Sequence, residues 1–183
     1  MKKFGVKHIV ATGIGAAMFF VLGRFVAIPS GIPNTNISIQ YGLLAFIAAV
    51  FGPIAGLLSG LIGHFFIDFS YGWGVWWSWV IASAVCGGII GFMTSKLKID
   101  EGEFDKGSII KFNIAQVVAH VVSWAVVAPV LDIAIYGEPA NKVFVQGLVS
   151  AGVNIVTTAV VGTLLCIAYS AAIPKKGSLK EED

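Results

Sequence analysis

The chain has 183 residues, of which 57% are hydrophobic and only 12% charged, with a mean hydropathy of +0.87 and a formal net charge of +2. A soluble domain carries about 25% charged residues, so hydrocarbon rather than water must cover most of the outside. The length suits one domain with no second, catalytic one; clustered arginines for nucleic acid, phosphate-cradling glycine loops and nucleophile–base sets are all absent from the sequence.

The first apolar run covers residues 7–28 and ends at Pro29. It is long, lacks a small-residue cleavage site and is followed by more apolar segments, so it reads as a permanent helix rather than a signal peptide. The uncharged loop 30–38 carries the turn formers Gly31, Pro33, Asn34 and Asn36. A second run, 39–51, is broken by Gly52-Pro53, which opens a third, 53–69. Because about 20 residues cross a bilayer, two short helices around a tight turn fit better than one over-long helix; a re-entrant pair is the alternative.

The loop 70–75 leads into a fourth run, 76–95, closed by Lys96 and Lys98. Residues 96–111 form the longest charged stretch, expected to be a solvated connector. A fifth run, 109–135, is interrupted by Pro129, and Tyr136-Gly-Glu-Pro139 makes a turn. The sixth, 143–173, is long enough to tilt or protrude and is closed by Pro174 and two lysines. The expected fold class is an all-α integral membrane protein: one domain, 1–183, of about six transmembrane helices.

Charge sets the expected orientation. With an even helix number, both chain ends and the connector after the fourth helix share one face, which holds Lys2, Lys3, Lys7, Lys96, Lys98, Lys106, Lys111, Lys175, Lys176 and Lys180. The other face holds Lys142, with Arg24 in or near the first helix. Lysine and arginine accumulate on cytoplasmic loops, so the termini are expected inside. The loops after helices one, three and five then lie outside.

Small residues recur four apart: Ala11 and Gly15, Gly13 and Ala17, Gly56 and Gly60, Gly87 and Gly91. Such faces let helices approach closely where no hydrophobic drive exists. In the third and fourth helices this reads as packing within the bundle. In the first, a surface for a partner helix is equally supported. Cys86 and Cys166 lie in apolar runs without metal-ligand spacing and read as inert buried thiols.

Polar residues form two stripes. Asn113, Gln116, His120 and Ser123 share one face of the fifth helix, and Gln146, Ser150, Asn154 and Thr157 or Thr158 one face of the sixth. Amides exposed to hydrocarbon are costly, so both stripes should face inward. They either glue the two helices together or meet a ligand; the ligand reading is favoured for Gln146, near the outer end.

Arg24, Asp68, Asp132, Glu138 and Lys142 are the ionisable residues near the outer face. An Arg24–Asp68 or Arg24–Asp132 pair would order the bundle, and His64 with Asp68, one turn apart, would pair structurally. Tyr71, Trp73, Trp76, Trp77 and Trp79 cluster at an outer boundary. Part of this is an interfacial belt; the rest suits a wall or lid for a flat ligand. Asn34, Asn36 and Gln40 add neutral hydrogen-bond partners.

With these residues in view, the chain resembles the substrate-binding S component of energy-coupling factor (ECF) vitamin transporters over nearly its whole length. The family's first-helix AxxxA motif is matched here by Ala11 and Gly15, with Ala17 nearby. The stretches Gly23-Arg-Phe-Val-Ala-Ile-Pro-Ser-Gly-Ile-Pro-Asn-Thr-Asn36, Phe51-Gly-Pro-Ile-Ala-Gly56 and Trp76-Trp-Ser-Trp79 look like one subfamily, some of whose members look like cobalamin carriers. The resemblance implies a non-catalytic bundle that captures a vitamin outside and topples when docked on a coupling protein bearing two ATPases, which use the ATP. Ala11, Gly15 and Ala17 would meet the coupling protein. Asn34, Asn36, Gln40, Asp68, Tyr71, Trp73, Trp76, Trp77, Asp132, Gln146 and Asn154 are the candidate vitamin-binding residues.

No prosthetic group or metal is expected. The cobalt and nickel members begin Met-His, whereas this chain begins Met-Lys-Lys-Phe. Cobalamin is the leading substrate, with a thiamine precursor or another heterocyclic vitamin as the alternative. A stand-alone secondary transporter is the rival class, disfavoured by the lack of an inverted repeat or a mid-membrane chain of acids.

Overall fold

The computed structural model describes residues 5–29, 31, 36–72 and 74–174. Six helices form the bundle: α1 (Val6–Phe25), α2 (Gln40–Phe51), α3 (Pro53–Tyr71), α4 (Trp77–Met93), α5 (Lys106–Tyr136) and α6 (Ala140–Ala172). Four of them, α1, α3, α5 and α6, are long and apolar enough to cross a membrane, whereas α2 and α4 are shorter. Large apolar side chains such as Val10, Ile14, Phe92, Leu148 and Leu164 stand exposed on the outside. That surface suits lipid, and the buried residues face one another.

Several boundaries differ from the sequence expectation. α1 stops at Phe25, and Ile28–Pro29 (β1) pairs antiparallel with Asn36–Ile37 (β2), Ile28 opposite Ile37. The expected loop therefore contains a small hairpin, and the bundle is not purely helical. A two-stranded ribbon tolerates Pro29 because proline's missing donor falls on an edge. Gly52 divides α2 from α3 in one residue with φ +91, a region that only glycine enters cheaply, and Pro53 starts the next helix.

α5 begins earlier than residue 109 because Asp105 caps it, its Oδ1 accepting the Ser108 N–H at 2.8 Å. Pro129 does not interrupt α5. Residues Val121–Val127 widen into a π-helical stretch, and the Ala128 N–H bonds the Ser123 carbonyl, five residues back. A proline normally clashes with the carbonyl four residues before it; the wider turn moves those carbonyls and the helix continues. α6 carries a second π segment at Thr158–Gly162.

α1, α3 and α4 pack at backbone distance. A methyl group added at Gly56 would stand 2.5 Å from the Gly87 carbonyl oxygen, one at Gly60 2.5 Å from that of Ser83, and one at Gly91 2.5 Å from the Pro53 Cα. The four-residue glycine spacing thus serves the α3–α4 crossing. At the far end of the bundle the Lys7 ammonium lies 5.7 Å from the Phe51 ring centroid, and Gly102, between α4 and α5, lies against the Ser170 and Ile173 carbonyls. The start of α1, the end of α6 and the charged connector therefore share one end.

Candidate functional site

At the opposite end a cavity of about 520 Å³ opens between the helices. Every helix contributes to its wall: Gly23 from α1, Gln40 and Tyr41 from α2, His64, Ile67, Asp68 and Tyr71 from α3, Trp79 from α4, Trp124 and Asp132 from α5, and Lys142, Gln146, Ser150 and Asn154 from α6. The connectors add Ala27, Asn36, Ser38, Trp76 and Glu138. Exposed Lys142 marks where the cavity reaches the surface.

Aromatic rings build one wall. Trp79 stacks on Trp124 with centroids 5.5 Å apart, Tyr41 meets Trp124 edge-on at 5.1 Å, and Trp76 stacks on Tyr136 at 4.3 Å. Asp132, 2% exposed, fixes this wall. Its Oδ1 accepts the Trp76 indole N–H at 2.6 Å and the Ser78 hydroxyl; its Oδ2 accepts the Trp79 indole N–H at 2.7 Å. An indole has only one donor and no acceptor, so the carboxylate fixes the edge of both rings while Tyr136 and Trp124 stack on one face of each. The Trp76 backbone N–H is held by Asp68 Oδ2 at 2.9 Å. Carboxylates from α3 and α5 thus clamp one tryptophan from two sides.

A polar chain runs from the cavity mouth to its floor. Asp68 Oδ1 lies 3.6 Å from His64 Nε2, His64 Nδ1 lies 2.5 Å from the Ser83 hydroxyl, and that hydroxyl lies 2.9 Å from the Tyr41 hydroxyl. The sequence-expected His64–Asp68 pair therefore forms. Arg24 pairs with neither Asp68 nor Asp132 among the described residues; its Nε donates to Ser70 and its guanidinium lies 4.1 Å from the Tyr71 ring centroid.

The two polar stripes divide between the two roles open to them. Gln146, Ser150 and Asn154 line the cavity, whereas Thr158 turns away and contacts His120 Nε2 at 2.9 Å. On α5 the stripe joins helices where Asn113 donates to Thr163 of α6 at 3.0 Å, and within α5 His120 Nδ1 accepts the Trp124 indole N–H at 2.9 Å. Since Trp124 only donates, His120 carries its proton on Nε2 and donates to Thr158.

Of the candidate vitamin-binding residues, Asn36, Gln40, Asp68, Tyr71, Trp76, Asp132, Gln146 and Asn154 line this one cavity. Trp77 does not: its side faces outward, 46% exposed, 5.9 Å from Phe65, and its backbone N–H donates to the Tyr136 hydroxyl. Asn34 and Trp73 lie outside the described residues. Sequence reasoning missed Tyr41 and Trp124, each 5% exposed or less. The available signal was Trp124's place one helical turn beyond His120.

The candidate docking residues Ala11, Gly15 and Ala17 divide between two faces of α1. Ala11 and Gly15 are buried inside the bundle, and a methyl group at Gly15 would lie 2.8 Å from the Ser59 hydroxyl of α3. A helix carries two faces, and the small pair Ala11–Gly15 is the one spent on α3. Ala17 is exposed together with Gly13, which has nothing within 4 Å of an added methyl. The outward small pair is therefore Gly13–Ala17.

Known proteins agree with this architecture. The fold is similar to two solved structures, each over 88% of this chain: FolT bound with folic acid (TM-score 0.64, 16% identity, 98% of that chain) and the S-component for biotin from an ECF-type ABC transporter (0.65, 17%, 89%). Two UPF0397 proteins of Staphylococcus aureus, from strains MSSA476 and Newman, are 52% and 51% identical over 184 residues, covering 100% of both chains. Residues 3–171 match the family model described as "ECF-type riboflavin transporter, S component". This multi-pass membrane protein, whose sequence already resembled an S component, belongs to that riboflavin-type S-component family.

Proposed function

We propose that the cavity binds a flat heterocyclic vitamin of two or three rings, riboflavin or one of similar size, at the outer face of the plasma membrane. One observation carries this reading: a cavity of about 520 Å³ whose lining combines stacked indoles with a row of neutral amides and hydroxyls, Gln146, Ser150 and Asn154. Drug-sized ligands occupy cavities of about 300–1,000 Å³ lined by aromatics and a few placed polar groups. Cobalamin, the leading substrate from sequence, is much larger than this space and would have to project through the mouth.

Orientation follows from charge: the lysine-rich end is cytoplasmic and the cavity end external. As an S component, the chain works with a transmembrane coupling protein and two ATPases, and does no catalysis itself. The outward face of α1, with Gly13 and Ala17 framed by Val10, Ile14, Met18 and Val21, meets the coupling protein. Toppling on that partner delivers the vitamin inward.

Equilibrium binding of riboflavin, a thiamine precursor and cobalamin to the purified chain tests the substrate. Saturable binding of a flat heterocycle, with cobalamin failing to compete, is expected. Tight binding of cobalamin with no response to the smaller vitamins would refute the size argument. For the partner, Ala17→Leu should abolish copurification with the coupling protein while vitamin affinity stays unchanged.

A further inference from the structure

Resting on the proposed vitamin site, we infer that the cavity takes uncharged or cationic forms of its ligand and rejects carboxylated or phosphorylated ones. The lining holds three carboxylates, Asp68, Asp132 and Glu138, against one ammonium, Lys142, and one imidazole, His64. With His64 neutral the wall carries a net charge of −2; with it protonated, −1. The residues of the outer connectors that the structure does not describe, 30, 32–35 and 73, have no ionisable side chain, so they leave this balance unchanged.

Neither cation is free to receive an anion. Lys142 Nζ is 2.6 Å from Glu138 Oε2, and His64 is engaged by Asp68 and Ser83. Arg24 is not part of the wall; it is committed to Ser70 and the Tyr71 ring. An incoming carboxylate or phosphate would have to break an existing pair and then sit beside the carboxylate so released. Like charges brought together in a water-poor cleft are repelled, and such repulsion is how a site discriminates against a close relative of its ligand. The other polar groups of the lining include the neutral amides and hydroxyls of Asn36, Ser150 and Asn154, which suit carbonyls, ring nitrogens and alcohols.

The test measures the field itself, without any vitamin. In a variant carrying Trp73→Phe and Trp77→Phe, the remaining indoles are Trp76 and Trp79 on the wall and Trp124 at 1% exposure. With each ion's quenching normalised to its quenching of free N-acetyltryptophanamide, in an uncharged detergent, caesium should act on this fluorescence roughly twofold or more better than iodide, because a cleft lined by one sign of charge concentrates the opposite ion. Glu138→Lys should abolish or reverse the preference. Normalised iodide quenching equal to or stronger than that of caesium overturns the inference, as does a phosphorylated vitamin that binds the unmodified chain as tightly as its parent alcohol. A caesium preference with no heterocycle binding would leave the inference standing and sink the vitamin reading alone.

Discussion

The α3–α4 crossing and the α5–α6 pair solve the same problem by different means. α3 and α4 touch through backbone where Gly56, Gly60, Gly87 and Gly91 meet, with no side chain of these four between the helices. α5 and α6 are joined by polar side chains, Asn113 to Thr163 and His120 to Thr158, and both contain π-helical stretches. Lipid offers no hydrophobic drive for helix association, so dispersion at close range and hydrogen bonds are the two devices left. The glycine crossing makes a rigid frame. The polar pair carries six of the residues that face the cavity, and π turns are frequent where a helix must aim side chains at a site.

The contrast can be broken most severely at Gly87. Leucine there has no room, since the facing atoms are the Gly56 backbone, which cannot move as a side chain would. Overpacking costs about 1–3 kcal/mol where neighbours can shift, and more is expected here. Thermal unfolding in detergent should show loss of the folded bundle, whereas Gly152→Leu, which meets nothing within 4 Å of the first added carbon, should leave it intact.

Next in size is Asp132→Ala, which leaves the Trp76, Ser78 and Trp79 donors without their acceptor. Each buried donor so stranded costs about 1–3 kcal/mol. Stability should fall measurably and vitamin affinity more than tenfold, with a red-shifted tryptophan emission reporting the loosened wall. Gln146→Ala comes third: one lost hydrogen bond to the ligand, of about 1 kcal/mol, weakens the vitamin several-fold. Trp77→Phe is the smallest; the outward ring lies off the cavity, so isothermal titration should find affinity unchanged.

Sequence alone was legible where spacing encodes geometry. Four-residue glycine pairs, apolar runs and inward polar faces follow from the helix period, and they led to the bundle and to Gln146 and Asn154; the other six candidates in the cavity came from the aromatic cluster and from the charges and amides near the outer face. What spacing could not separate were the two faces of one helix: Ala11–Gly15 and Gly13–Ala17 share a period, and only the position of Ser59 on α3 decides which pair is covered. Pro129 misled for a related reason, because a π turn hides its clash and leaves no mark in the sequence. Asp132 was singled out as a rare outer charge, but its role as the acceptor for two indoles depends on residues more than fifty positions away.

The central claim is that the space enclosed by all six helices holds the vitamin, and Asn154 probes it most directly. Its side chain lines the cavity at 5% exposure and makes no side-chain hydrogen bond among the described residues, so Asn154→Phe puts a bulky ring into the space without breaking a side-chain hydrogen bond. Fluorescence titration of the folded variant with the vitamin that the unmodified chain binds should show no saturable binding. Binding at undiminished affinity would place the ligand elsewhere and contradict the account.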